Sequence, residues 1–160
     1  MQTAYLLIGG NIGDSKAYLS EAKNFIEKKC GEVINASSIY STAAWGVTNQ
    51  ADFLNQVLVL RTEMKPLELI QAILDIETSM GRIRAMKMGP RIIDIDILLI
   101  DDEIVNTDLL TLPHPALTQR NFALIPLKEV APELVHPVEK RTISQLLQSS
   151  TDTLDVQKLS

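Results

Sequence analysis

The order of periodicities constrains this chain more than any other feature. "AYLLIG" (residues 4–9) is a short apolar run of strand character, closed by the Gly9-Gly10 pair. "GDSKAYLSEAKNFIEKKCG" has helical period. Its apolar residues recur at Ala17, Leu19, Ala22, Phe25 and Ile26, Asp14 or Ser15 can cap it, lysines fill the last turn, and Gly31 ends it. "EVINASSIYST" and "DFLNQVLVLRTE" are strands on either side of the loop "AAWGVTNQA". "KPLELIQAILDIETSMG" is a second helix, with Pro66 suited to its first turn and Gly81 to its end. The cationic stretch "RIRAMKMGPR" then leads into a further strand, "IIDIDILLI", residues 92–100.

Strand, helix, strand, strand, helix, strand is the split βαβ order of a ferredoxin-like α+β sandwich, which puts both helices on one face of the sheet. "DDEIVNTDLLTLP" adds a short hairpin, "HPALTQRNFALIPLKEVAPE" adds two short helices, and "ISQLLQSS" a last short one. The tail after it is expected to fray. No linker or repeat divides the 160 residues, so a single domain is expected over 1–160, with its core at about 4–137 and a short helix and tail at 138–160.

The strand at 92–100 alternates strictly. Ile93, Ile95, Ile97 and Leu99 form an apolar strip that should pack on the helices, while Ile92, Asp94, Asp96, Leu98 and Ile100 face the open side. Same-face neighbours lie about 6.5–7 Å apart on a strand. Carboxylates at that spacing can share a hard cation, and without one their mutual repulsion favours protonating one of them. Oxygen donors with no Cys or His cluster suit Mg²⁺. Pairing with arginine is the other reading, since Arg82, Arg84, Lys87 and Arg91 lie just upstream. Those cations beside an acidic pair form the two halves of a polyphosphate site, metal on one side and guanidinium forks on the other. A solvated basic loop is the plainer account.

Other features are less specific. "GGNIGD" lacks the Gly-Lys-Ser/Thr of a phosphate loop and reads as a tight turn before a helix. Trp45, Phe53 and Asn55 could hold a flat heterocycle between rings and an amide, or could serve as crevice filler and core. His114, with Arg120 six residues later, fits a phosphate contact or a helix cap; His136 and Cys30 read as structural. The formal net charge of −5 argues against general affinity for nucleic acid or an anionic membrane. The N-terminal stretch has no signal-peptide pattern, no run approaches about 18 apolar residues, and a lone cysteine makes no internal disulfide, so a cytoplasmic setting is expected.

Taken together, "GPRIIDIDIL", "YSTAAWGVTNQADFLN", "MGRIR", "LTLPHP" and "RNFALIPLKEVAPEL", in that family's order and spacing over about residues 4–137, resemble the 6-hydroxymethyl-7,8-dihydropterin pyrophosphokinases of folate synthesis. The resemblance implies diphosphate transfer from ATP to the pterin hydroxymethyl group, and with it two Mg²⁺ ions held by Asp94 and Asp96. It implies Arg82, Arg84 and Arg91 as catalytic contacts to the triphosphate, and Glu77, Ile97 (through its backbone), Thr111, His114 and Arg120 as the rest of the ATP site. It implies Thr42, Ala43, Trp45, Phe53, Asn55, Asp94 and Phe122 as the pterin site, with Phe53 and Phe122 stacking on the two faces of the ring. No nucleic-acid or membrane partner is implied, and a monomer or weak homodimer is expected. Met88 and Leu74 stand where the family commonly has tryptophan and glutamine, and Pro115 and Leu109 replace polar or aromatic residues of some members. Two rival readings remain at this point: a Mg-dependent, palm-like nucleotidyltransferase, and a ligand-binding module of the same fold without catalysis.

Overall fold

The computed structural model describes residues 1–42, 52–81 and 92–159. Chain order within them is β1 (Gln2–Gly10), α1 (Ser15–Lys29), β2 (Glu32–Ala36), β3 (Ile39–Thr42), β4 (Phe53–Thr62), α2 (Pro66–Ser79), β5 (Asp94–Ile100), β6 (Val105–Asn106), β7 (Thr111–Leu112), α3 (Asn121–Val130), α4 (Ile143–Gln148) and β8 (Val156–Leu159). A 3-10 turn, Leu117–Gln119, precedes α3. The main sheet runs β5-β1-β4-β3-β8, with β2 also on β4, and each pairing is antiparallel. It is an α+β architecture, as the order of periodicities predicts. Among the described residues no helix is long and apolar enough to cross a membrane.

The sheet buries both faces. On one, Leu6, Ile8, Leu58, Leu60, Ile93, Ile95 and Ile97 meet Leu19, Ala22 and Ile26 of α1 and Leu69, Ile73 and Ile76 of α2. Each such leucine or isoleucine contributes about 1.5–3 kcal/mol when removed from water. On the other, Leu7, Val57, Leu98 and Leu99 pack against Ala123, Leu124 and Leu127 of α3 and Ile143 and Leu146 of α4. Beside this second layer the face is less fully covered: Phe53, Asp94 and Asp96 stay only half-buried. The helix ends follow local chemistry: Asp14 accepts the Ala17 N–H at the start of α1, and Thr142 with Gln145 forms a capping box on α4.

Several sequence expectations need correction. The alternation of the 92–100 strand does not run to its end. Tyr5 pairs with Leu99 and Leu6 with Ile97, so Leu98 is an extra residue, a β-bulge. The bulge reverses the phase. Leu98 and Leu99 both join the α3 and α4 layer, and Ile100, expected on the aspartate side, is buried with α1 and α2. The expected strand at 32–42 is two strands, broken where the Ser37 N–H donates to Val57 and the Ser37 hydroxyl accepts the Val57 N–H. Gly9 and Gly10 do not close β1; both lie in it, opposite Asn55 and Leu54. The turn before α1 comes later, at Gly13, whose φ of +67° suits a residue without Cβ. Finally, the tail does not fray: it forms β8 along β3.

Candidate active site

The partly covered sheet face is built by register. Gly9 of β1 stands opposite Asp94 on one side and Asn55 on the other, which puts a carboxylate and an amide across one glycine. Two inter-strand steps of about 4.8 Å separate their backbones by roughly 10 Å. Asp96, opposite Leu7, extends the acidic end, while Thr42, opposite Phe53, extends the amide end. Gly9 is a packing requirement here. A Cβ at that position would overlap the Asn55 Oδ1 and lie 2.8 Å from the Leu54 carbonyl oxygen. The glycine therefore lets the Asn55 side chain lie over β1. Asn55 is 7% exposed, and its Nδ2 donates to the Thr42 hydroxyl at 3.4 Å.

A second group of side chains borders the acidic end. The His114 N–H donates to the Leu98 carbonyl at 2.9 Å, which ties the segment after β7 to β5. His114 Nδ1 accepts the Ala116 N–H at 3.1 Å, so the neutral ring carries its proton on Nε2. Burial first, and the Arg120 charge second, lower its pKa, while Asp94 opposes them. His114 thus feels the charges of both Arg120 and Asp94. The Arg120 guanidinium sits 5.5 Å from the centroid of the Phe122 ring. Phe122 is packed against the α3 layer, so the cation is held at the edge of that layer.

Glu77 lies on α2, beneath the edge of β5. It is 4% exposed, and its Oε2 accepts the Ile95 N–H at 2.8 Å. That bond shows that the amide groups of Ile95 point away from β1. By the same alternation Ile97, two residues on, turns its backbone to that edge while its side chain is buried. Thr111 is exposed on the β6–β7 hairpin, which lies beside β5. Asp94, Asp96, Asn55, Thr42 and Phe53 are thus brought together on one sheet face, with His114 within electrostatic reach of both Asp94 and Arg120 and Phe122 beneath the Arg120 guanidinium. Ala43, Trp45, Arg82, Arg84 and Arg91 lie outside the described residues. Among the described residues no group of three or more His, Cys, Asp and Glu side chains converges as a metal cage. The aspartate pair is a donor set of two hard carboxylates, which suits Mg²⁺ with substrate oxygens completing its shell.

Sequence reasoning missed Gly9 as the spacer between the two ends. The clue was present: a glycine at the end of an apolar run, read only as a breaker. The histidines carry a pH dependence. With folded pKa values of His114 and His136 both lowered below the usual 6.5, the unfolded chain binds protons more readily between the folded values and 6.5. Stability is full above 6.5 and is lost as the pH falls through the folded values. Asparagine keeps an acceptor near Nδ1 but does not titrate, so His114→Asn with His136→Asn should flatten the fall in urea midpoint between pH 7 and 5. An unaltered slope would assign that fall to other groups.

The sequence matches one family, 7,8-dihydro-6-hydroxymethylpterin-pyrophosphokinase (HPPK), over residues 5–132. It is 40% identical over 151 residues to the 2-amino-4-hydroxy-6-hydroxymethyldihydropteridine pyrophosphokinase of Aquifex aeolicus, covering 94% of each chain. It is 42% identical over 136 residues to the protein of the same name from Methylorubrum extorquens, covering 84% of this chain and 86% of that one. The fold is similar to the crystal structure of Plasmodium falciparum HPPK-DHPS with pteroate, with a TM-score of 0.76 and 19% identity. That match covers 92% of this chain and 42% of the Plasmodium chain, so the present chain spans about two-fifths of that structure's length.

Proposed function

The chain belongs to the 7,8-dihydro-6-hydroxymethylpterin-pyrophosphokinase family, and we propose that it transfers diphosphate from ATP to the hydroxymethyl oxygen of 6-hydroxymethyl-7,8-dihydropterin, yielding AMP and the pterin diphosphate for folate synthesis. The observation that carries this reading is the Asp94–Gly9–Asn55 register: the backbones of a buried asparagine and an aspartate stand roughly 10 Å apart on one face, with the Asn55 amide leaning over the glycine between them. That span seats a bicyclic ring on the amide and brings its hydroxymethyl arm to phosphates at the aspartates.

In this reading Asn55 hydrogen-bonds the amide edge of the pterin, supported by Thr42 and by Ala43 and Trp45 of the adjoining loop. Phe53 and Phe122 stack on the two faces of the ring. His114 offers its Nε2–H to phosphate oxygen, and Arg120, held on Phe122, adds charge there. The backbone of Ile97 meets the adenine at the open edge of β5, Glu77 supports that edge through Ile95, and Thr111 borders the nucleotide from the hairpin. Arg82, Arg84 and Arg91 neutralise the triphosphate. Asp94 and Asp96 would hold two Mg²⁺ ions, which would supply charge neutralisation at the triphosphate.

The acceptor oxygen forms a bond to Pβ, the bond from Pβ to the bridging α–β oxygen breaks, and AMP leaves with that oxygen. The hydroxyl proton passes to Asp94 or to solvent. Placement and charge supply the catalysis, since phosphoryl transfer asks for little covalent work by the protein. We read the enzyme as one domain over residues 1–160 acting in the cytoplasm, a monomer or weak homodimer without nucleic-acid or membrane partners. The sheet order β5-β1-β4-β3, antiparallel throughout, supports a ferredoxin-like core in which β2 and β3 together form one broken strand.

The test is an assay with ATP, Mg²⁺ and 6-hydroxymethyl-7,8-dihydropterin. One AMP should appear for each pterin diphosphate. Release of inorganic diphosphate with a nucleotidyl group on the acceptor would instead establish the palm-like reading. Saturable pterin binding without turnover would leave a ligand-binding module.

A further inference from the structure

The C-terminal tail meets the start of α3, the helix whose first turn carries Phe122, and then runs along β3. At the start, Asp152 Oδ2 accepts the Asn121 N–H at 2.8 Å, and the Asn121 Nδ2 donates back to the Asp152 carbonyl at 3.3 Å. Asn121 is the first residue of α3, so its N–H has no partner within the helix. A carboxylate there also meets the positive end of the helix dipole. Asp152 is itself fixed: its Oδ1 accepts the Leu154 N–H at 2.9 Å, and its N–H donates to the Ser150 hydroxyl at 3.2 Å.

The last turn of α3 is tied to β3. Glu129 accepts the Tyr40 hydroxyl at 2.6 Å, the Ser38 hydroxyl at 2.9 Å and the Ser38 N–H at 3.0 Å. Beyond Asp152 the tail runs along the same strand, with Val156 opposite Thr42 and Lys158 opposite Tyr40. One tail segment therefore braces the helix at its start and the strand that ends in Thr42. Phe122 and Arg120 flank Asn121, the residue that Asp152 grips.

We propose that Asp152 is a positioning residue of the acceptor site: by capping α3 through Asn121 it sets where Phe122 and Arg120 stand against the sheet. The inference rests on the reading of Phe122 and Thr42 as walls of the pterin site. Removing the cap lets the first turn open, and the ring that should stack on the substrate loses its fixed place. The loss falls on substrate positioning, since Asp152 touches no reacting atom.

Asp152→Ala should raise the KM for the pterin about tenfold while kcat stays within about twofold. Asp152→Asn, which keeps a neutral acceptor, should recover most of the loss. A second route removes the donor instead. Proline is suited to the first helical position, so Asn121→Pro deletes the N–H and retains the helix. It should raise the pterin KM similarly, and adding Asp152→Ala to it should do little more. Hydrogen exchange across 122–124 should speed up in both single variants, whether or not substrate is present. A pterin KM at the wild-type value with only a lowered unfolding midpoint overturns the proposal, as do additive effects in the double variant. Should Asp152→Ala fail to fold, the Asn121→Pro and Asp152→Asn results decide in the same way. Absence of turnover in the wild-type protein would fail the functional reading instead, while unchanged exchange at 122–124 would fail the cap itself.

Discussion

Asp94→Ala and Asp96→Ala should each lower Mg²⁺-dependent turnover by about a thousandfold while the protein remains folded. Metal charge on a phosphoryl group supplies several kcal/mol to the transition state, and about 4 kcal/mol corresponds to three powers of ten in rate. Both aspartates are only half-buried, and the apolar packing that holds β5 comes from Ile93, Ile95, Ile97, Leu98 and Leu99. Asn substitutions sharpen the comparison, because they keep the shape and remove the charge. The measurement is AMP formation at saturating ATP and pterin over a range of Mg²⁺, with circular dichroism to confirm the fold. Rates near wild type in both alanine variants would end the metal-site assignment and leave arginine pairing as the role of the aspartates.

The second large effect is expected at a residue that has no side chain. Gly9→Ala places a methyl group where the Asn55 Oδ1 lies and 2.8 Å from the Leu54 carbonyl oxygen. The backbone of two paired strands cannot yield cheaply, so the variant should lose about 1–3 kcal/mol of stability, as overpacked sites do. Asn55 must also leave its bond to Thr42. The expected functional result is a rise of at least tenfold in the KM for the pterin, with the KM for ATP little changed. A double-variant cycle tests the cause. Asn55→Ala empties the space above Gly9, so the destabilisation by Gly9→Ala should be smaller in that background. Full additivity in urea unfolding would show that the Leu54 carbonyl alone is responsible. An unchanged pterin KM in Gly9→Ala would remove Asn55 from the acceptor site.

The two predictions mark different depths of legibility. The aspartates could be found in the sequence because strand alternation is a local rule: two charges in phase on an apolar strand declare a face. The same rule failed four residues later. Leu98 bulges because β1 accepts only one of two neighbouring residues in its ladder, and a ladder mismatch is a property of two strands together. Gly9 was visible as a glycine but not as a spacer, since its neighbours Asp94 and Asn55 are distant in sequence. His114 had Arg120 nearby in the sequence and His136 had no such context, yet what chiefly shifts both is burial, which no spacing reveals.

Local patterns determined the helices, the order of strands, the acidic face and, through several motifs at once, the family. Each depends on residues within one element or on chain order, which the sequence contains in full. The tertiary structure decided the rest: which residues stand across Gly9, where β5 changes phase, how Glu77 serves the edge of β5, and that residues 150–159 grip α3 and β3. Those depend on register and on contacts such as Asn121 with Asp152, 31 residues apart. Closing such a loop costs chain entropy that no local preference repays, so only the sum of packing over the whole molecule selects it.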